Sequence, residues 1–472
     1  MENFENFYKI FSTNNTQFWK TIFKDTLCPI KEKVEKVSLL CNLYLSIINK
    51  TYYPDKPRDY IIFNKGEYVS RVVPIFAPRD VCVYFYCIKK LEDNIAVNRA
   101  PDTYGGWKLG GNIRAQEREE AQFYKENIRQ YETPDGNSIT LDISEEYPME
   151  SSFNPAAWKA EWGEFTGQVY LHSCKASEHN YVLEMDIANF YDAIRLDILE
   201  NKIRGVCPPE KNDEVSLLFH FLKFWNRDYN FYSQQSVGIP QDEVSDCSRI
   251  LANFYLQDYD HSMLNICKQY GAKYMRYADD QIVFTKSEED SQKITYLASL
   301  SLMQYGLCLN QKKVKLMNKK YFEEYMAFEW FILLAKKRTQ DVDNAIDYLL
   351  ENKTKLKNNG ATLTKRLLSL VTIKNNKYKV KKLFYEFLKP EFLQSQNLAV
   401  WHLEKIYNML NNQEKNNFLK FLDEQSNKLI HNHFHYTLLK FYKNIKFNRN
   451  HIEKRVEYLK ENFYPKKYSI YK

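Results

Sequence analysis

The spacing of apolar residues changes character three times along the chain. Over residues 1–55 it recurs at helical intervals, as in Val34, Leu39, Leu40, Leu43 and Leu45, and it ends near Tyr53-Pro54. From about 60 to 90 the runs YIIF, YVSRVVPIF and VCVYFYCI are rich in β-branched and aromatic residues and predict strands. A polar stretch follows, holding the glycine cluster Tyr104-Gly105-Gly106-Trp107-Lys108-Leu109-Gly110-Gly111 and the turn signal Pro134-Asp135-Gly136. These glycines do not fit the GxxxxGK pattern of a phosphate loop, so a surface loop is expected there. Between Tyr181 and about Asn310, strand-like runs alternate with helical patterns in a compact α+β arrangement. Beyond residue 331 the strand signals fade. Runs such as NAIDYLLENKTKLK, KRLLSLVTIK and VWHLEKIYNMLNN predict short amphipathic helices separated by Asn/Lys-rich turns.

Composition narrows the classes. A chain of 472 residues, 44% hydrophobic and 27% charged, can build several packed units and is not a wholly disordered polymer. Only 13 glycines and 14 prolines exclude a collagenous or linker-rich protein. No apolar run approaches the roughly 18–20 residues of a membrane span, and MENFENFYKIF has no signal-peptide pattern. The nine cysteines include no CxxC pair, which reads as reduced thiols. A cytoplasmic protein with no membrane partner is therefore expected. Charge is unevenly spread: residues 331–472 carry 28 Lys+Arg against 13 Asp+Glu, and residues 1–330 carry 39 against 47. An acidic body with a basic end points to a polyanion partner gripped from that end. His431, His433 and His435 fall in a helical pattern, where i and i+2 point apart, and are expected to be ordinary surface or phosphate-contacting residues.

Three segments carry candidate chemistry. In Tyr181-Val-Leu-Glu-Met-Asp186-Ile-Ala-Asn-Phe190-Tyr191-Asp192 an apolar strand runs into a carboxylate and an aromatic pair follows. In Tyr274-Met-Arg-Tyr277-Ala278-Asp279-Asp280-Gln-Ile-Val-Phe284 two strand-like runs flank a hairpin tip with two carboxylates. Gly238-Ile239-Pro240-Gln241 precedes a long helix-like run from about Ser245 to Lys268. Nucleotidyl transfer to a hydroxyl uses two divalent cations about 3.5–4 Å apart, held by a few carboxylates and the substrate phosphates. Each piece alone is weak, since an Asp-Asp pair is usually a solvated turn and an Asp after an apolar run is often a helix cap. Their order and spacing carry the signal.

Together they resemble the palm motifs of reverse transcriptases over roughly residues 60–330. DIANFYDAI is similar to motif A, GIPQ with SRILANFYL to motif B, YADD to motif C, and Gly306-Leu-Cys-Leu-Asn310-Gln-Lys-Lys313-Val to motif D. Tyr321–Trp330 with FILL falls where the next palm-edge strand is found. The resemblance implies an α+β right-hand polymerase with fingers, an antiparallel palm sheet and an all-α C-terminal region. The expected divisions are a helical segment 1–59, fingers 60–180 with an insertion at about 100–150, a palm 181–330 and basic helices 331–472. It further implies that Asp186, Asp279 and Asp280 bind two Mg²⁺ ions (Mn²⁺ being the alternative) and that Lys313, or Lys312 one register away, protonates pyrophosphate. Tyr191 would exclude a ribose 2′-hydroxyl. Ile187, Gln241, Arg71 and Arg79 would line the nucleotide, and Gly238, Pro240 and Tyr277 the template and primer.

The implied activity is RNA-directed DNA synthesis from dNTPs, with a noncoding RNA template and a DNA product as nucleic-acid partners. A homo-oligomer or a companion defence protein is a further expected partner. One departure stands out: Asp242 replaces the glycine that usually follows GIPQ, and Glu243 and Asp246 add charge beside it. The SRILAN run, the fingers insertion and the basic helical end resemble the abortive-infection and defence-associated bacterial reverse transcriptases. That group includes enzymes of antiphage defence that polymerise DNA without a template or from a protein primer. The same fold acting as a template-independent or protein-primed nucleotidyltransferase, or as a non-catalytic RNA-binding scaffold, is the alternative. Tyr464, Tyr468 and Tyr471 are the terminal tyrosines that protein priming would consider.

Overall fold

A five-stranded sheet organises the larger part of the molecule, described by a computed structural model over residues 3–12, 19, 35–64, 70–107, 109, 128–132, 138–142, 157–174, 178–226, 238–241, 247–356, 358–389, 393, 399–428 and 431–462. Two compact units are present: Met1–Asp59 with Pro74–Phe322, and Tyr60–Val73 with Glu323–Lys472. The strands, in chain order, are β1 (Asp59–Asn64), β2 (Ser70–Ile75), β3 (Thr103–Tyr104), β4 (Ile128–Glu132), β5 (Ser138–Asp142), β6 (Tyr181–Asp186), β7 (Lys273–Tyr277), β8 (Asp280–Thr285) and β9 (Lys315–Asn318).

In the first unit the sheet order is β3-β7-β8-β6-β9. The pairs β7–β8, β8–β6 and β6–β9 are antiparallel, as expected for the palm. At the edge, β3 joins β7 in parallel, which makes the sheet mixed. Its inner strands read as near-continuous apolar runs because both faces are covered: Val182, Leu183, Met185, Val283 and Phe284 are all buried. β4 and β5 form a separate antiparallel pair around the expected Pro134-Asp135-Gly136 turn, which itself lies outside the described residues.

Three expectations are corrected. VCVYFYCI is not a strand but the middle of the helix Pro78–Ile95, with every residue from Val81 to Ile88 at 3% exposure or less. A helix buried all round loses its 3.6-residue period and mimics a buried strand, while Pro78 in the first turn is the start signal that discriminates. The long run from 245 is two helices, Cys247–Tyr255 and Gln257–Gln269. Tyr321–Trp330 is not a palm-edge strand either. β9 ends at Asn318 and is followed by the helices Lys319–Met326 and Phe328–Ala335, separated at Ala327 by a left-handed backbone with φ +53°.

The second unit is helical, built from Thr339–Leu356, Asn358–Leu370, Lys377–Phe387, Val400–Met409, Asn412–Ser426, Asn432–Asn444 and Arg449–Asn462. Ile346, Leu367, Leu383, Leu403, Leu422 and Leu438 meet in its core. Asn376 caps one helix, and Asn411 with Glu414 forms a capping box on another. The unit also holds the helix Phe328–Ala335, whose Leu334 joins that core, and the two-stranded β1–β2 sheet, drawn in from the N-terminal third. Asn432 holds it: Ile62 N–H donates to Oδ1 at 2.6 Å and Nδ2 donates to Tyr60 O at 2.8 Å, so a side-chain amide replaces a neighbouring strand. His431 Nε2 meets Ser70 Oγ at 3.1 Å, and the His433 ring lies 4.1 Å from that of Phe63. The three histidines are thus buried, at 2%, 4% and 0% exposure for His431, His433 and His435, and not surface residues. The β1–β2 strands cover the face that a local helical reading leaves open. Among the described residues, no helix is long and apolar enough to cross a membrane.

Candidate active site

The end of β6 places Asp186 directly opposite Asp280 on β8, and the two-residue link Ala278-Asp279 joins β7 to β8. Three carboxylates therefore gather at one end of the sheet. Asp186 is 3% exposed and fully engaged. Its Oδ1 accepts from Asn310 Nδ2 at 3.0 Å, its Oδ2 from Lys313 Nζ at 2.6 Å, and its backbone oxygen from Asn310 N at 2.7 Å. The segment after the helix Glu288–Met303 is thereby stitched to β6 at Asp186 and again where Ile187 bridges Leu309.

The electrostatics follow from this crowding. The Asp280 carboxyl is pushed up to about 8, first by desolvation among the surrounding protein atoms and then by the charges of Asp279 and Asp186. Lys313 pulls in the opposite direction. The Asp280 side chain remains exposed at the edge of the cluster, so solvent screening limits the energy of this repulsion. Partial burial works against the charge of Lys313, but the Asp186 hydrogen bond and the three carboxylates outweigh it and hold the ammonium above the ordinary lysine pKa. Of the two adjacent lysines in the segment, Lys313 makes the ion pair with Asp186.

The carboxylate hairpin is anchored from below by residues the sequence reading did not single out. Arg276 and Asp260 are both 0% exposed and form a two-pronged pair, Nε to Oδ1 at 2.7 Å and Nη2 to Oδ2 at 2.6 Å. Arg276 Nη1 also donates to Asn253 Oδ1 at 2.9 Å and to Ala278 O at 2.7 Å, gripping the turn itself. Tyr274 OH completes Asp260 at 2.8 Å. Ala278 adopts φ +52°, a strained choice for a residue with a side chain, and this grip holds it there. Gly105 and Gly106 are buried beside the same turn, which corrects the surface-loop expectation for that part of the cluster. Gly105 has φ +112°, and an added Cβ would lie 3.2 Å from Ala278 N, while Asn253 Nδ2 donates to Gly106 O at 2.8 Å. The paired glycines were the available signal, since close backbone approach needs them.

Tyr191 is half-buried beside Phe190, just past Asn189 at φ +46°. Gly238 packs onto its backbone, and Ile239 N–H donates to Tyr191 O at 3.1 Å. At Gly238 (φ +70°) a Cβ would fall 2.1 Å from Tyr191 O, so no other residue fits. The structure thus brings Gly238 and Ile239 to Tyr191, with buried Pro240 and half-buried Gln241 next in the chain, whereas Asp242, Glu243 and Asp246 lie outside the described residues, as do Tyr464, Tyr468 and Tyr471. Ile187 is 1% exposed and offers backbone only. Tyr277 is packed between Trp162 and Phe165. Arg79 donates to Tyr53 O at 3.3 Å and pairs with Asp55 at 3.5 Å, and Arg71 on β2 belongs to the second unit. A cavity of about 600 Å³ in the first unit, lined by residues that include Lys202, Phe254 and His261, contains none of these side chains.

The donor set is all oxygen, which suits a hard divalent cation, and the mutual repulsion of the carboxylates is what such a cation relieves. Among the described residues no three acid, histidine or cysteine side chains close on a single point as a finished cage would. Asp186 is instead turned to Asn310 and Lys313. A two-cation site shared with substrate phosphates is compatible with that arrangement, because part of its coordination comes from the substrate.

Residues 127–383 match the family model described as reverse transcriptase (RNA-dependent DNA polymerase). No curated protein matches the chain. Among solved structures, the chain is similar to apo telomerase from Candida tropicalis, at 10% identity and a TM-score of 0.33 over 89% of this chain and 74% of that one. It is similar at the same identity and TM-score to telomerase from Candida albicans in complex with a TWJ fragment of telomeric RNA, over 89% of this chain and 67% of that one. Likeness at that level is remote, and the family match carries the assignment.

Proposed function

This chain belongs to the reverse transcriptase family, and we propose that it extends a DNA 3′ end at the sheet edge bearing Asp186, Asp279 and Asp280, copying RNA. The observation that carries the reading is the Asp186–Asp280 register with Lys313 seated on Asp186. Asp186, Asp279 and Asp280 would hold Mg²⁺, which when bound neutralises the triphosphate and favours ionisation of the attacking hydroxyl. Lys313, kept protonated by the carboxylates around it, donates a proton to the pyrophosphate oxygen as the bond to the α-phosphate breaks. Tyr191 stands at the ribose and refuses a 2′-hydroxyl by contact, which selects dNTPs. Gln241, with the backbone of Ile187, positions the incoming nucleotide. Arg79, in the same unit as the carboxylates, is assigned to its phosphates, since a guanidinium fork matches phosphate oxygens. Gly238, Pro240 and Tyr277 support template and primer.

The basic helical unit and the sequence likeness to abortive-infection enzymes favour a bacterial antiphage role, with a noncoding RNA as template. Asp242 favours a second reading, DNA synthesis without a template or from a protein primer at the same carboxylates, because in the sequence it puts a negative charge in place of the glycine that usually follows GIPQ. Incorporation of dNTPs on a primed RNA by wild type and Asp279→Ala tests the site. Loss of synthesis in a variant with an unchanged melting temperature is expected. Persistent synthesis by that variant refutes the assignment.

A further inference from the structure

The helix Lys377–Phe387 divides cleanly into two faces. Val380, Leu383, Phe384 and Phe387 are buried in the core of the second unit. The opposite face carries Tyr378 and Tyr385, 68% and 63% exposed, seven residues apart and so nearly in line along the axis. Lys377, Lys381 and Lys382 flank them within the same arc, and Lys374 and Lys389 extend it at either end; all five are exposed. Lys382 Nζ sits 4.6 Å from the Tyr378 ring centroid, so ring and ammonium already share one position.

Burial does not account for these tyrosines, and a merely solvated face has no reason to set two exposed rings in line. We infer that this face is a docking surface for single-stranded nucleic acid, the rings stacking on bases and the lysines meeting phosphates. Seven residues of helix separate the rings by about 10.5 Å, close to three repeats of a stacked strand at about 3.4 Å each. Rings are useful to a strand whose bases are free, while a duplex hides its base faces, so the rings favour the single strand. Lys374, Lys377 and Lys382 supply the charge complementarity, whereas Lys389 is paired with Glu386 at 2.6 Å and Lys381 with Glu414 at 3.7 Å. The inference takes its polyanion from the nucleic-acid partner proposed above and adds where and in what form it is held. That place lies on the second unit and involves none of the polymerase site residues.

The test uses the full-length protein and a labelled single-stranded oligonucleotide, read by fluorescence anisotropy over a salt series. Tyr378→Ala/Tyr385→Ala should weaken binding by about tenfold or more, as loss of base–aromatic stacking does, with an unchanged salt slope. Lys374→Gln/Lys377→Gln/Lys382→Gln should instead flatten the dependence of log K on log salt, by up to about 2. Both variants should keep the wild-type melting temperature and single-nucleotide incorporation on a short primed template. Equal affinity of wild type and the tyrosine variant overturns the inference, as does equal displacement of the strand by polyglutamate, the mark of an acidic polypeptide partner. Tyrosine-dependent binding by a wild type that incorporates no nucleotide would instead refute the polymerase reading and leave this surface standing.

Discussion

Replacing Arg276 by alanine separates what holds the carboxylate hairpin from what the hairpin does. The substitution leaves Asp260 buried and charged without its partner and removes the donor to Ala278 O and Asn253. Burial disfavours the guanidinium, yet the charge and hydrogen bonds of Asp260 more than compensate and keep it protonated. Breaking such a pair from one side costs about 3–5 kcal/mol, against a total stability of about 5–15 kcal/mol for a folded domain. Arg276→Ala should therefore lower the urea midpoint sharply. Arg276→Met with Asp260→Leu removes both charges, and should regain part of the loss because no uncompensated ion remains. Tyr274 OH loses its acceptor, which costs about 1–3 kcal/mol and prevents full recovery. The double variant also cannot hold Ala278 in its left-handed conformation, and a shift of about 1 Å in the Asp279 and Asp280 carboxylates costs up to about 100-fold in rate. Partly recovered stability with a turnover at least about tenfold below wild type is expected. An Arg276→Ala protein within about 1 kcal/mol of wild type, or a double variant with full turnover, refutes the reasoning.

Lys313→Met should reduce turnover by about 100-fold or more with little change in dNTP KM, as loss of a general acid does; single-turnover kinetics measure it, with Lys312→Met as the near-neutral comparison. Gly238→Ala forces a Cβ to 2.1 Å from Tyr191 O at a positive φ, and should lower the melting temperature and disable the site; an unchanged temperature contradicts the packing. The second unit should weaken in acid. Burial lowers His433 to about 3; burial, then the charge of Lys365, lowers His402 to about 4 despite its bond to Ala399. Both depart from an unfolded value of about 6.5, so the unfolded chain takes up protons first and the stability present above pH 6.5 is lost as pH falls. Each histidine removes about 2 kcal/mol between pH 7 and 5. Equal urea midpoints at those pH values refute the burial, and His433→Gln should remove about half the loss.

The carboxylate hairpin was legible because short apolar, β-prone runs on both sides of Ala278-Asp279-Asp280, joined by a two-residue link, fix strand pairing locally. The helical C-terminal unit was legible for the complementary reason, an apolar stripe at helical spacing with asparagine caps. Pro78–Ile95 was not, since a helix buried on every side carries no period, and Val and Tyr fit either state. Arg276 and Asp260 stand sixteen residues apart, and nothing in their spacing announces that they meet beneath the turn. Long-range pairing also hid the histidines: His431 and His433 look exposed until β1 and β2, some 360 residues earlier, are laid against them. Gly105 and Gly106 lay between these extremes. Their composition said that backbone must come close to something, but not to what.

The most direct test of the account is incorporation of each dNTP and rNTP, singly, by purified protein with Mg²⁺ on an added primed RNA, before and after RNase treatment. DNA synthesis that needs the RNA, rejects rNTPs and disappears with Asp279→Ala is the predicted result. Synthesis that survives RNase and ignores the added template contradicts RNA-directed copying at this site.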